Sequence, residues 1–195
     1  MRITKMLALF VFAFGWGASA QATLLIDNGD GTITDDDAGL MWLKDATLFQ
    51  GESWADAKSW ADSLTVGGFD DWRLPSALDS NGLPCEGFNC PDTEFGSLYY
   101  GALGNPAGSR INDGVFVLDP ISTHGDWFWT ATSSGPFYYY FRFETGEQSY
   151  RWGTNPLNAW AVRTITAEVP EPPVWLLMSL GLFAAGCLRG KTRRP

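Results

Sequence analysis

The sequence predicts a single α+β domain, and three stretches carry that reading. Near the start, β-type residues 23–27 and 32–35 flank Asn28-Gly29-Asp30-Gly31, the Asn-Gly and Asp-Gly chemistry of a tight hairpin. Ser53-Trp54-Ala55-Asp56 then opens one amphipathic helix, and much of the chain beyond residue 126 alternates in the manner of strands. The 195 residues divide into an export signal at 1–20, the domain at 21–168 and a C-terminal handling signal at 169–195.

The two ends read as addresses. Arg2 and Lys5 precede an apolar stretch at 6–16, and Ala18-Ser19-Ala20 supplies small residues for cleavage between Ala20 and Gln21. The mature chain is therefore expected to fold outside the cytoplasm. At the other end, Val169-Pro170-Glu171-Pro172 and Pro173 lead into residues 174–188, which carry no charge, and then into Arg189, Lys191, Arg193 and Arg194. As a helix, such a run spans about 22 Å at 1.5 Å per residue, short for a bilayer core of about 30 Å. The prolines keep the approach extended, and the basic end favours the cytoplasmic side. The order of motif, apolar run and basic end resembles the PEP-CTERM sorting signal. That resemblance implies an exosortase-type transpeptidase as partner, in a Gram-negative bacterium that makes extracellular polysaccharide. The expected path is a tether in the inner membrane facing the periplasm, then release to the cell surface or matrix. A permanent tail anchor is the alternative, and Cys187 reads as a small hydrophobe of the run or as a point of lipid attachment.

Between these ends the charge is strongly negative. Residues 21–168 hold seven basic and 21 acidic residues, a net charge of −14. Such a domain repels nucleic acid, anionic membranes and sulfated polysaccharides unless cations bridge them. Aromatic residues make up 15% of the chain, enough to build a core and to set aside a disordered reading.

Taken in order, the hairpin glycines invite comparison with a calcium loop. With Gly31 at the sharp turn, Ile26 falls at the first ligand position and Asp37 at the last, so an EF-hand fails. Asp35-Asp36-Asp37 reads as a solvated turn, and Gly39-Leu40-Met41-Trp42 as a buried strand. In the helix, Ser53 and Asp56 form a capping box. Trp54, Ala57, Ala61 and Leu64 share one face, and Gly67-Gly68 ends the element. In Asp71-Trp72-Arg73-Leu74-Pro75, Pro75 stops whatever strand residues 72–74 make. Cys85 and Cys90 lie in a Pro/Gly-rich loop and, in an oxidising compartment, read as a disulfide. Residues 126–132, 137–144, 148–152 and 159–165 read as strands of an antiparallel sheet with one apolar face. In the second of these, Phe137, Tyr139, Phe141 and Phe143 share one face, and Tyr138, Tyr140, Arg142 and Glu144 the other.

The Asp27–Asp35 hairpin motif, Gly39-Leu40-Met41-Trp42, the Trp54/Ala57 helix, Asp71-Trp72-Arg73-Leu74-Pro75 and Ala161-Val162-Arg163 together resemble the Lcl C-terminal domain family. That resemblance, and not the periodicity, implies a C-type-lectin-like topology of antiparallel strands with two helices, over most of 23–166. The chain departs from the family after Pro75, where 76–92 inserts the cysteine loop; residues 94–103 then supply the delayed second helix.

The chemistry available is sparse. The single histidine, His124, leaves a Ser-His-Asp device or a multi-histidine zinc site without support, and no P-loop, GxSxG or dinucleotide fingerprint occurs. A carboxylate pair for glycan hydrolysis is the enzymatic alternative; a purely structural matrix component is another. The favoured expectation is a non-catalytic adhesion module for extracellular polysaccharide. Its ligand-binding candidates are Tyr138, Tyr140, Arg142 and Glu144 on one strand face, with Asn155, Asn158 and Trp160 after it, since aromatic platforms beside amides and carboxylates suit sugars. Calcium-bridged binding requires clustered oxygen ligands; the motif pairs for it are not evident, so neither a metal nor a cofactor is expected.

Overall fold

The computed structural model describes residues 25–118 and 125–165. The expected export signal with its Ala20/Gln21 cleavage point, His124, the motif Val169, Pro170, Glu171 and Pro172, and the apolar run 174–188 with Cys187 lie outside the described residues. Among the described residues, no helix is long and apolar enough to cross a membrane.

In chain order the elements are β1 (Leu25–Asp27), β2 (Thr32–Asp35), β3 (Leu40–Leu43), β4 (Phe49–Glu52), α1 (Trp54–Asp62), α2 (Glu94–Gly96) continuing as a π-helical turn (Ser97–Ala102), β5 (Trp127–Ser134), β6 (Phe137–Arg142), β7 (Glu147–Trp152), β8 (Leu157–Ala159) and β9 (Val162–Thr164). The domain is mostly β. One sheet runs β1-β2-β3-β9 and the other β4-β8-β5-β6-β7.

The opening hairpin forms as expected, in register Leu25↔Asp35 through Asp27↔Ile33. Its acids organise the turn. Asp27 Oδ1 accepts from the Gly29 amide, and Asp30 Oδ1 accepts from both the amide and the hydroxyl of Thr32. Gly29 and Gly31 adopt φ of 77° and 91°, which side chains resist. Asp35 is buried rather than solvated, since β2 turns it inward.

The Ser53 cap of the helix also forms, with Asp56 answering through the Ser53 hydroxyl and not its backbone amide. Ser53 Oγ accepts from the Asp56 amide at 3.3 Å and donates to Asp56 Oδ2 at 2.5 Å, and α1 buries Ala57 and Ala61. The second helix starts under a Thr93 cap and widens, with the Leu103 amide reaching the Leu98 carbonyl, so that both Leu98 and Tyr99 enter the core.

The expected sheet differs at its closing end in two ways. The predicted closing strand 159–165 is two strands in different sheets: β8 ends at Ala159, Trp160 and Ala161 cross through the core fully buried, and β9 resumes at Val162. The second sheet is also not wholly antiparallel, because β8 meets β5 in parallel at Phe128↔Asn158. Both follow from Trp160, whose ring packs on Trp42, Phe95, Phe128 and Phe143. Each such ring pair contributes roughly 0.5–1.5 kcal/mol beyond its area, so the chain bends around the ring instead of running straight.

The Trp-Arg-Leu-Pro stretch is a brace more than a strand. Arg73 makes a single backbone bridge with Val162, and its guanidinium clasps Glu94 at 2.8 and 2.7 Å. Next to it, Arg163 clasps Asp71 and lies 3.7 Å over the Phe69 ring. The inserted loop carries the Cys85–Cys90 disulfide, with Cα atoms 5.9 Å apart. Gly87 exchanges both backbone bonds with Gln148, at 2.7 and 2.8 Å, and so covers one position on the exposed edge of β7.

Candidate functional site: an aromatic cleft where α1 meets β6 and β7

The cleft follows from how α1 is tied to the sheet. The Trp54 amide donates to the Gly153 carbonyl at 2.8 Å, joining the start of the helix to the end of β7. The Trp54 indole donates to the Thr130 carbonyl at 2.8 Å and stacks on Tyr138, with ring centroids 4.0 Å apart and planes 24° from parallel. Gly153 is needed there, since a Cβ would stand 2.7 Å from the Tyr138 ring. Trp152, 56% exposed, closes the other side and leans on Phe137 at 4.5 Å.

The result is an open cleft of about 260 Å³, walled by Trp54, Tyr138, Trp152 and Pro136, with Ser53 and Thr154 at its margin. It is smaller than the roughly 300–1,000 Å³ of drug-sized sites and fits a single ring. A second hollow of about 330 Å³ lies beside Thr93 and Glu94. Its polar groups are already engaged: Thr93 caps α2, and Glu94 holds Arg73 and the Ser76 amide.

From the cleft, the same face of β6 continues as a layered stack. Tyr140 lies parallel to Trp127, 10° apart with centroids at 5.2 Å. The Arg142 guanidinium sits 4.6 Å from the Trp127 centroid, and that of Arg151 5.3 Å from it and 5.7 Å from Tyr140. Arg142 also pairs with Glu147 at 2.6 Å.

The residues expected to bind ligand therefore separate. Tyr138 lines the cleft. Tyr140 and Arg142 share its face but are largely covered by the stack. Glu144 lies past the end of β6, where its Oε1 accepts from the Asp126 amide. Asn155 sits in the turn after β7, its amide bonded to the Trp152 carbonyl. Asn158 is buried, donating to the Gly125 carbonyl and accepting from the Gly51 amide. Trp160 is wholly buried, its indole bonded to the Leu43 carbonyl at 2.7 Å. Asn158 and Trp160 are thus framework, not platform. Their sequence context did not separate them from surface residues, because the crossing from β8 to β9 reverses nothing in the local pattern.

Two cleft residues were missed. Trp54 reads as a core position by helical spacing, yet it is the first residue of α1 and projects past the core. Trp152 carried one usable signal, a large aromatic ending an alternating strand just before a glycine.

Electrostatics follow burial. Burial raises the Tyr139 hydroxyl to about 12, and Glu86, which accepts its hydrogen bond at 3.0 Å, acts in the same direction. Burial also raises the Asp126 carboxyl, against the opposing pull of its ion pair with Arg110. Among the described residues, no group of three His, Cys, Asp or Glu side chains is placed to hold a metal ion.

With this geometry in hand, comparison with known families is decisive over residues 31–163, which match the model of the Lcl C-terminal domain. The chain belongs to the Lcl C-terminal domain family. No curated protein and no solved structure gives a match. The family span begins at the hairpin glycine and ends at Arg163, so it encloses the aromatic cleft, the Arg73 brace and the disulfide-bearing insertion alike. In this Lcl domain the hairpin and Trp-Arg-Leu-Pro motifs serve the frame: one is held by Asp and Thr side chains, the other by Glu94 and Val162.

Proposed function

We propose that this Lcl domain is a glycan-binding module, exported and delivered to the cell surface or matrix by an exosortase-type enzyme. The observation that carries the binding half is the Trp54/Tyr138/Trp152 cleft. Its rings are fixed before any ligand arrives, one by an indole hydrogen bond to β5 and one by the sheet itself. Flat aromatic faces pack against the C–H face of a sugar, while Thr154 at the margin offers a hydroxyl to orient it. Preformed rings lose little conformational freedom on binding.

The fold is read as C-type-lectin-like. Support comes from the way the first and last strands share one sheet while the second sheet presents the ligand face. The delivery half rests on the tail sequence: a Val-Pro-Glu-Pro motif, an uncharged run and an arginine-rich end.

A glycan array probed with the protein, with and without calcium, tests the binding half. Retention of one or more neutral glycans, lost in Tyr138→Ala, is the expected result. A blank array would leave a structural matrix role. Turnover of a polysaccharide, abolished by one carboxylate substitution, would replace the module with a hydrolase. For delivery, Glu171→Ala should leave the protein in the inner membrane of an exosortase-bearing host; unchanged release would reject the sorting claim.

A further inference from the structure

We infer that Arg151 receives a carboxylate, so that the ligand of the aromatic cleft is a largely neutral glycan carrying a uronic acid beside the ring the cleft seats. The inference rests on the glycan-binding reading of that cleft.

The seven basic residues of 21–168 are all described, and six of them hold a carboxylate. Lys44 pairs with Asp27, Lys58 with Asp62, Arg73 with Glu94, Arg110 with Asp113 and Asp126, Arg142 with Glu147, and Arg163 with Asp71. Arg151 alone has no carboxylate partner among the described residues, although 21 acidic side chains lie in the same span. Its guanidinium rests instead on Trp127 and Tyr140. Packing on rings occupies the face of a guanidinium and leaves the N–H donors at its edge, where they match the two oxygens of a carboxylate. Arg142, itself paired with Glu147, brings a second guanidinium to the same indole. The spot gathers two guanidinium groups on a domain of net charge −14.

Its position suits the cleft. Arg151 stands directly across from Tyr138 in the β6–β7 register. Tyr140, under the guanidinium, lies two residues along the same face, about 7 Å away at strand spacing, a length one sugar ring covers. A ring held at Tyr138 places its neighbour beside the Arg151 guanidinium that covers Tyr140, with an acidic group in its reach. The surrounding negative charge selects against densely charged polymers, so the chain should be acidic only at intervals.

The test is titration of the full-length protein in neutral detergent with three tetrasaccharides. One alternates glucuronate with N-acetylglucosamine, one is its carboxyl-reduced neutral form, and one is heavily sulfated. The uronate form should bind about tenfold more tightly than the neutral form, the size of one charge-assisted contact. Arg151→Gln should erase that preference and leave neutral binding unchanged, while Arg151→Lys keeps part of it. Equal binding of uronate and neutral forms, or a preference that survives Arg151→Gln, overturns the inference and leaves the glycan reading standing. Tightest binding of the sulfated form overturns the carboxylate assignment. Failure of all three to bind overturns both readings. A melting temperature shared by all variants establishes that the fold is unchanged.

Discussion

The two faces of β6 come from one alternating run of aromatic residues and end in opposite roles. Toward the inside, Phe141, followed by Phe143 just past the strand, packs on Phe95 at 5.3 and 6.3 Å and disappears from solvent. Toward the outside, Tyr138 meets Trp54 in an open cleft, and Tyr140 lies between the Trp127 ring and the Arg151 guanidinium. Ring count does not distinguish the faces. What differs is the covering element. The inner face is met by α2 and the buried crossing of Trp160, whereas α1 covers the outer face only at one end and leaves its first residue as a wall. Partial cover of an aromatic face makes a site, and full cover makes a core.

The comparison is broken most forcefully at Trp160. Trp160→Ala should cost about 3–5 kcal/mol, the usual loss for a buried tryptophan, read as a large fall in the denaturation midpoint. A stable variant with selectively lost glycan binding would return Trp160 to the outer group. Removing the disulfide comes next. Cys85→Ser with Cys90→Ser should cost about 2 kcal/mol for so short a loop. It should also speed amide exchange at Gln148, whose backbone bonds go to Gly87; unaltered exchange would show that the loop covers the β7 edge without its covalent tie.

A milder change sharpens the outer face. Trp152→Ala should weaken glycan retention about tenfold, a difference of about 1.4 kcal/mol, while stability moves within about 0.5 kcal/mol, as at other exposed positions. A thermal melt beside the binding curve separates the two effects. The smallest expected effect concerns Asp35. Burial raises its carboxyl above the ordinary range, opposed by the Ala38 amide that donates to Oδ1. A proton is thus bound more tightly in the folded state than in the unfolded one. Its contribution is fully present below the unfolded value and is lost as pH rises through the folded one. Asp35→Asn keeps an acceptor for Ala38 and should be slightly more stable than the parent at pH 7, with the advantage fading in acid. Denaturation midpoints across pH 3–7 check this, and parallel curves for the two proteins would reject it.

Local rules reached far along this chain where one residue decides its own surroundings. The turn at Gly29 and Gly31, the Ser53 cap and the Cys85–Cys90 pairing all depend on neighbours within a few positions, so short-range chemistry sufficed. The candidate site was legible in part. Tyr138 was found, because alternation places it on the outer face. Asn158 and Trp160 were misplaced, because their surroundings are set by Gly125 and Leu43, 33 and 117 residues away. Trp54 and Trp152 were missed for the same reason: they are separated by nearly a hundred positions and are brought together where the Trp54 amide bonds the Gly153 carbonyl.

The amino-acid sequence by itself determined the hairpin, the capped helix, the two faces of β6, the negative domain and its membership of a recognisable family, since each is a matter of local conformation or composition. Only the tertiary structure decided which aromatic rings are core and which are wall. It also decided that the last strand splits between two sheets and that, among the described residues, one of the seven basic side chains is left without a carboxylate. Burial and charge pairing are properties of groups distant in the chain, and nothing in the spacing of residues specifies which of them will meet.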